Sequence, residues 1–109
     1  NTLQVIKKNM AQKGFKLLNQ SMIPPHHVNG DSAFVKTLLN AYERYTGRKG
    51  ACQSMGGGTY VHNLKNGVAF GAAMPETDNN MHGADEFAVI DELLVSAKIF
   101  AQVIADLCG

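Results

Sequence analysis

The sequence lacks several patterns that would assign it at once to a class of proteins. Its formal net charge is only +1, so no basic field points to nucleic acid and no polybasic run points to a membrane surface. The apolar stretches are too short to span a bilayer, and the start NTLQVIKKNM has neither the apolar core of a signal peptide nor an initiator Met. These absences favour a cytoplasmic chain without nucleic-acid or membrane partners, and they leave open whether the natural chain begins at residue 1.

Cysteine is also scarce. Cys52 and Cys108 lie far apart in the sequence, which excludes a disulfide framework and a CxxC metal site. The simplest interpretation is two buried thiols in a reducing cytoplasm. Whether the two cysteines meet in space stays open.

Nucleotide-binding motifs are missing although glycine is frequent. A Walker A loop needs a Gly-Lys pair, and none is present. A dinucleotide fingerprint starting at Gly56 fails because Val61 occupies its last glycine position. The remaining pattern is a glycine turn that leads into a helix start at Thr59. Such a turn can present backbone N–H groups to a phosphate or a carboxylate, or it can be a tight turn without a ligand.

What is present is typical of one modest globular domain, with 45% hydrophobic and 17% charged residues in 109. Thr2 and Gly14 bound a first predicted helix. Asp31 or Ser32 starts a second helix, which runs to about Tyr45 and is ended by Gly47. One or two helical turns are predicted at 59–64, a long helix at 85–107, and strands at 15–23, 50–55 and 67–73. The apolar stripe of the long helix is predicted at Leu93, Ala97, Phe100, Ile104 and Leu107.

The alternation of predicted helices and strands indicates an α/β fold. Pro24-Pro25 interrupts the chain after the first helix and strand. Those two elements are too few for a domain and have no obvious partner. They look like the end of a domain whose earlier part is missing.

His82 is the most notable candidate for chemistry, with Asp85 and Glu86 close behind it. Both acids are predicted in the first turn of the long helix, where they act as caps or orient the imidazole. A catalytic zinc site needs at least three protein ligands. The other histidines, His26, His27 and His62, form no ligand pattern with His82.

The run MGGGTY…GVAFG…P…MHGADEF, between Met55 and Phe87, resembles the C-terminal part of the dinuclear-metal exopeptidases. That family includes bacterial dipeptidase V, Xaa-His dipeptidase and carnosinase, and more distantly carboxypeptidase G and acetylornithine deacetylase. The preceding stretch, PPHHVNGDSAFVKTLLNAYERYTGRKG, is similar to the family's return from its lid domain into its catalytic domain. The resemblance therefore covers essentially the whole chain.

The resemblance implies an α/β fold made of two pieces. Residues 1–25 would be a helix-strand remnant of the lid, or dimerisation-type, domain. Residues 26–109 would be the C-terminal part of a dinuclear zinc-exopeptidase catalytic domain.

The resemblance also implies roles for single residues. His82 matches the last metal ligand of a site for two divalent ions, Zn²⁺ or Mn²⁺, and it is the one ligand of that site in this chain. Glu86 matches the acid that supports this ligand. The family has a loop near the C-terminal carboxylate of the substrate, and the residues that match it here are Gly56, Gly57, Gly58 and Thr59. Where the family often carries Arg after GGGTY, this sequence has Val61-His62, which affects the expected substrate preference.

The implied function is that of a fragment of a metal-dependent dipeptidase, inactive alone, whose substrate is a dipeptide cleaved by metal-activated water. The other ligands and the catalytic glutamate of the family have no counterpart here, so the partner would be the missing N-terminal half of the same protein. Two alternatives remain: a related deacylase of N-acyl amino acids, or a stand-alone, non-catalytic binding domain.

Overall fold

The computed structural model describes residues 2–71 and 73–109, which form helices joined by irregular segments. Within these residues the α-helices are α1 at Thr2–Gln12, α2 at Ala33–Thr46 and α3 at Ile90–Cys108, and a 3₁₀ helix spans Tyr60–Asn63. None of these helices is both long and apolar enough to cross a membrane. The helical segments lie close to where the sequence predicts them, except for the start of α3.

Helix α2 shows why its boundaries could be predicted. The Ser32 side chain accepts a hydrogen bond from the Val35 N–H at 3.3 Å and caps the first turn. At the other end Gly47 adopts φ +68°, and its N–H donates to the Glu43 carbonyl. Ser32, rather than Asp31, is therefore the N-cap. Gly14, with φ +78°, follows α1 in the same conformation.

The core lies between α2 and α3. Leu38 and Ala41 of α2 meet Ile99 and Val103 of α3, and all four are buried. Phe70, from the segment between the helices, packs edge-on against Phe100 with 5.5 Å between ring centroids. The other partly buried apolar residues around this core are Phe34, Tyr42, Val68 and Val95.

The predicted start of the long helix is wrong by about five residues. Asp85 has φ +57°, a left-handed conformation that an α-helix cannot contain. The helix instead begins at Ile90 after Val89, which provides no side-chain cap. The acids in its first turn are Asp91 and Glu92, so the prediction that Asp85 and Glu86 lie in the first turn is also wrong.

The predicted apolar stripe of α3 does not form the core. The buried residues are Ser96, Ile99 and Val103, whereas Leu93, Ile104 and Leu107 of the predicted stripe are 47%, 62% and 44% exposed. Helix α3 is apolar on two sides, so helical periodicity alone could not select the side that meets α2. That choice depends on the position of α2.

The strands predicted at 15–23, 50–55 and 67–73 are wrong for the residues that the structure describes, which contain no strand; Ala72 lies outside them. These segments are irregular, and several apolar side chains of the first one are exposed: Phe15, Leu17, Leu18, Met22 and Ile23. A strand exists only with a neighbour that accepts its backbone hydrogen bonds. The described part of the chain provides no such neighbour, so an α/β sheet does not form within it.

The absence of a sheet is reflected in the overall dimensions. The radius of gyration is 19.1 Å, whereas a compact chain of this length has about 13 Å. The principal axes measure 55 × 36 × 21 Å. The α2–α3 pair is therefore the packed unit, and the remaining segments extend from it. Cys52 and Cys108 are both exposed, so the prediction that their thiols are buried is wrong.

Candidate functional site

The glycine loop, Gly56–Gly58, lies on the surface ahead of the 3₁₀ helix. Its three glycines have neither of the usual structural reasons for glycine. None has a positive φ, and a Cβ added at any of them would meet no atom within 4 Å. Within the described residues their N–H groups donate no hydrogen bond. The loop therefore offers unengaged backbone donors with open space around them.

Thr59 joins this loop to the 3₁₀ helix. Its side-chain oxygen accepts a hydrogen bond from the Val61 N–H at 3.1 Å. His62 completes a capping box, because its Nδ1 lies 3.3 Å from the Thr59 nitrogen and 3.0 Å from the Thr59 oxygen. Nδ1 accepts from the Thr59 N–H in one tautomer and donates to the Thr59 carbonyl in the other. The predicted helical turn at 59–64 is confirmed, and its start is fixed by side chains.

A second histidine lies against this cap. The rings of His26 and His62 have centroids 5.7 Å apart and are tilted by 49°. The Nε2 atom of His26 lies 2.6 Å from the Gly67 carbonyl oxygen, so it carries the proton and donates. Both rings are half-buried. The two histidines thereby connect the segment before α2 with the end of the glycine loop, which no motif in the sequence indicates.

His82 lies in an exposed turn, not at a helix start. Asn80, His82 and Asp85 all have positive φ, between 56° and 64°, and such backbone costs about 1 kcal/mol or more at each non-glycine residue. The Gly83 N–H donates to the Asn80 carbonyl at 2.7 Å. We call residues 79–87 the His82 loop, because the Phe87 N–H closes it by donating to the Asn79 carbonyl at 3.2 Å.

Glu86 touches the backbone of His82, not its ring. The His82 N–H donates to Oε2 of Glu86 at 3.4 Å. Within the described residues no hydrogen bond or ring contact joins the His82 loop to the glycine loop. The structure therefore does not bring the predicted site residues into one pocket.

A hydrogen bond that sequence reasoning missed joins the segment just before the His82 loop to α3. The Thr77 hydroxyl donates to Oε1 of Glu92 at 2.5 Å. Beside it, a cavity of about 90 Å³ is lined by Ala73, Thr77, Asn79, Ala88, Val89, Glu92 and Leu93. Thr77 and Glu92 are far apart in the sequence and share no motif, so only the folded chain reveals the pair.

The side chains present do not make a metal centre by themselves. In the part of the chain that the structure describes, no three His, Cys, Asp or Glu residues are grouped so that they could hold an ion. A catalytic zinc site needs at least three such ligands. His82 and Glu86 are joined through the backbone N–H of His82, and two such residues are fewer than that site needs.

Comparison with known proteins identifies a family. The profile of peptidase family M20/M25/M40 matches residues 13–106. "Putative dipeptidase YtjP" from Bacillus subtilis (strain 168) is 47% identical over 83 residues, which are 76% of this chain and 18% of that protein. No solved structure matches the chain.

Two further relatives have the same kind of name. A "Beta-Ala-Xaa dipeptidase" from Lactobacillus delbrueckii subsp. lactis is 43% identical over 76% of this chain and 18% of that protein. A "Putative dipeptidase" from Staphylococcus epidermidis (strain ATCC 12228 / FDA PCI 1200) is 36% identical over 94% of this chain and 22% of that protein. The chain thus spans about a fifth of the length of these relatives.

Proposed function

Because the chain belongs to peptidase family M20/M25/M40, we propose that it is part of a metal-dependent dipeptidase. Residues 1–25 belong to the end of its lid domain and residues 26–109 to the C-terminal part of its α/β catalytic domain. Relatives named dipeptidase support the substrate class. The remaining catalytic groups then come from polypeptide equivalent to the part of those relatives that this chain does not cover, and the chain alone is inactive.

The observation that carries the proposal is the glycine loop. Gly56, Gly57 and Gly58 need no left-handed backbone and touch nothing that excludes a Cβ. Three consecutive glycines nevertheless lose much conformational entropy on folding. Close approach of a ligand to unengaged N–H groups accounts for them. In this proposal the loop and Thr59 bind the free carboxylate of the dipeptide.

The His82 loop supplies the second component. His82 is exposed in a left-handed conformation, and this strain at a non-glycine residue is typical of functional positions. We assign His82 as a ligand of one of two divalent ions, Zn²⁺ or Mn²⁺. Glu86 positions His82 by accepting a hydrogen bond from the backbone N–H of His82. When bound, such ions supply Lewis acidity and an activated water.

Uncovered apolar surface is consistent with an α/β domain completed by further strands. The segment 15–23 exposes Leu18, Met22 and Ile23 by 75% or more, although it has the composition of a strand. Helix α3 likewise exposes the side opposite to α2, as expected of a helix that packs on a sheet. In this proposal segment 15–23 pairs with strands of the complete lid domain, and the exposed side of α3 becomes buried in the complete catalytic domain.

The test uses the enzyme translated from the full reading frame that contains this chain. With Zn²⁺ or Mn²⁺ we expect it to hydrolyse dipeptides faster than N-acyl amino acids. His82→Ala should lower kcat/KM by more than about a hundredfold, because loss of a ligand exceeds the effect of losing its supporting partner. His27→Ala, a change at another exposed histidine, should leave it unchanged.

Either of two results would contradict the proposal. Near-normal turnover by His82→Ala with metal bound would remove the ligand assignment. A preference for N-acyl amino acids would replace the dipeptidase by a deacylase of the same family.

A further inference from the structure

The sequence contains two Asn-Gly steps, Asn29-Gly30 and Asn66-Gly67. In such a step the glycine nitrogen can attack the side-chain amide carbon of the asparagine, because glycine has no Cβ to hinder the approach. Both asparagines are exposed, and both line one open cavity of about 530 Å³ together with His27, Val28, Ser32 and Phe34. Both side chains thus meet solvent in the same cavity, and they differ in their hydrogen bonds.

The Asn29 side chain is folded back over the main chain. Its Oδ1 accepts from the Asp31 N–H at 2.9 Å. Its backbone carbonyl accepts from the Ser32 N–H at 3.1 Å, so residues 29–32 form a turn. Among residues 2–71 and 73–109, the Gly30 N–H has no hydrogen-bond acceptor. The attacking nitrogen is therefore unengaged, and the Asn29 side-chain amide is held by the Asp31 N–H.

Asn66 has the opposite arrangement. Its side chain makes no hydrogen bond in the described part of the chain. The Gly67 N–H donates to the Leu64 carbonyl at 3.1 Å. The Gly67 carbonyl accepts from Nε2 of His26 at 2.6 Å. The Gly67 nitrogen, the potential nucleophile, is thus already hydrogen-bonded, and both its N–H and its carbonyl are fixed. Asn66 is therefore a matched control within the same molecule.

We propose that Asn29 is a site of spontaneous deamidation at which the Asp31 N–H serves as the oxyanion donor. The Gly30 nitrogen gives its proton to a solvent base and bonds to Cγ of Asn29, and negative charge develops on Oδ1. The Asp31 N–H already points at that oxygen and stabilises the charge. The Cγ–Nδ2 bond of Asn29 then breaks, and Nδ2 takes a proton from solvent and leaves as ammonia.

The product is a succinimide that one water molecule opens. Opening at the side-chain carbonyl yields aspartate, and opening at the main-chain carbonyl yields isoaspartate. The net change is one water consumed and one ammonia released, with no oxidant or reductant. Isoaspartate adds one atom to the main chain and moves the carbonyl that accepts from Ser32, the N-cap of α2. The modification therefore alters the start of α2, and it does not depend on the proposed peptidase function.

The experiment compares the two asparagines in one sample. The 109-residue chain is incubated in mildly alkaline buffer, digested, and analysed by mass spectrometry for amide-to-acid conversion at each position. We expect Asn29 to convert about tenfold faster than Asn66, since one well-placed hydrogen bond has about that effect on a rate. In concentrated urea, where only the local sequence remains, the two rates should become similar.

Two controls make the result decisive. Asn29→Gln should abolish conversion at residue 29 and leave Asn66 unchanged. The amide of Asp31 should be protected from hydrogen exchange in the native chain. Equal or reversed native rates, a ratio that persists in urea, or an unprotected Asp31 amide would each overturn the proposal.

Discussion

Glycines in this chain have two different roles that the residue type alone does not distinguish. Gly14 and Gly47 follow helices with positive φ, which explains them by backbone conformation. Gly56–Gly58 have ordinary backbone and no neighbouring atom in the way. The first group is needed for folding, and we propose that the second is needed for substrate binding.

Substitution of these glycines should separate binding from stability. Gly57→Ala should leave the free energy of unfolding unchanged or raise it slightly, because it restricts the unfolded chain, and should raise KM for dipeptides in the full-length enzyme. Gly47→Ala should do the opposite, lowering the free energy of unfolding by about 1 kcal/mol without changing KM. Denaturant titration and steady-state kinetics measure both. An unchanged KM in Gly57→Ala would argue against the carboxylate role.

At the scale of elements, local hydrogen bonds fix the ends of helices, and neighbouring segments pack against these ends. Ser32 caps α2, and His62 caps the 3₁₀ helix beside the glycine loop. The tilted ring of His26 adds a contact from a segment distant in sequence. Among the described residues, hydrogen bonds therefore hold the glycine loop from one side only, at Thr59.

Removing the His62 ring should loosen that attachment. In His62→Ala we expect the Thr59 and Val61 amides to exchange with solvent about fivefold faster, because a lost cap costs about 1 kcal/mol. His27→Ala, at an exposed ring next to His26, should not change these rates. Hydrogen exchange followed by NMR checks both. If His62→Ala leaves the Thr59 amide unchanged, the capping box does not stabilise the loop.

The core between α2 and α3 should account for most of the chain's resistance to unfolding. Leu38 is 5% exposed and Leu18 is 87% exposed. Leu38→Ala should therefore lower the free energy of unfolding by about 2–5 kcal/mol, and Leu18→Ala by less than about 0.5 kcal/mol. Urea denaturation monitored by circular dichroism measures both. Similar values for the two variants would mean that the α2–α3 core is not the stabilising unit.

At the scale of the whole molecule, apolar surface remains without a partner. Helix α3 buries one side against α2 and exposes the other, where Ile104 is 62% accessible. A helix that is apolar on most sides belongs in the interior of a larger domain. The radius of gyration of 19.1 Å exceeds that of a compact chain of this length because the remaining segments extend from the α2–α3 pair.

Ile104→Gln should therefore have different effects in the short and the long polypeptide. In the 109-residue chain the free energy of unfolding should change by less than about 0.5 kcal/mol. In the full-length enzyme it should fall by about 2 kcal/mol or more, because a polar group is buried there without a partner. Lys98→Gln, an exposed polar position of the same helix, is the control. Equal effects of Ile104→Gln in both polypeptides would exclude burial of this side.

Short-range features could be read directly from the amino-acid order. The capping Ser32, the terminating Gly47 and the turn after Thr59 depend on neighbours a few residues away, so their prediction is confirmed. The motif between Met55 and Phe87 was sufficient to indicate the family that the comparison establishes. The roles assigned to Gly56–Thr59, His82 and Glu86 stay predictions.

Features that depend on distant partners were decided by tertiary packing. The start of α3 at Ile90 and its contact side follow from the left-handed turns before it and from the position of α2. The ring contact between His26 and His62 and the hydrogen bond between Thr77 and Glu92 join residues that no periodicity relates. The three expected strands depend on backbone partners outside their own segments. A helix end is determined by local hydrogen bonds, whereas a strand or a packed face exists only where another element supplies the second half of the contact.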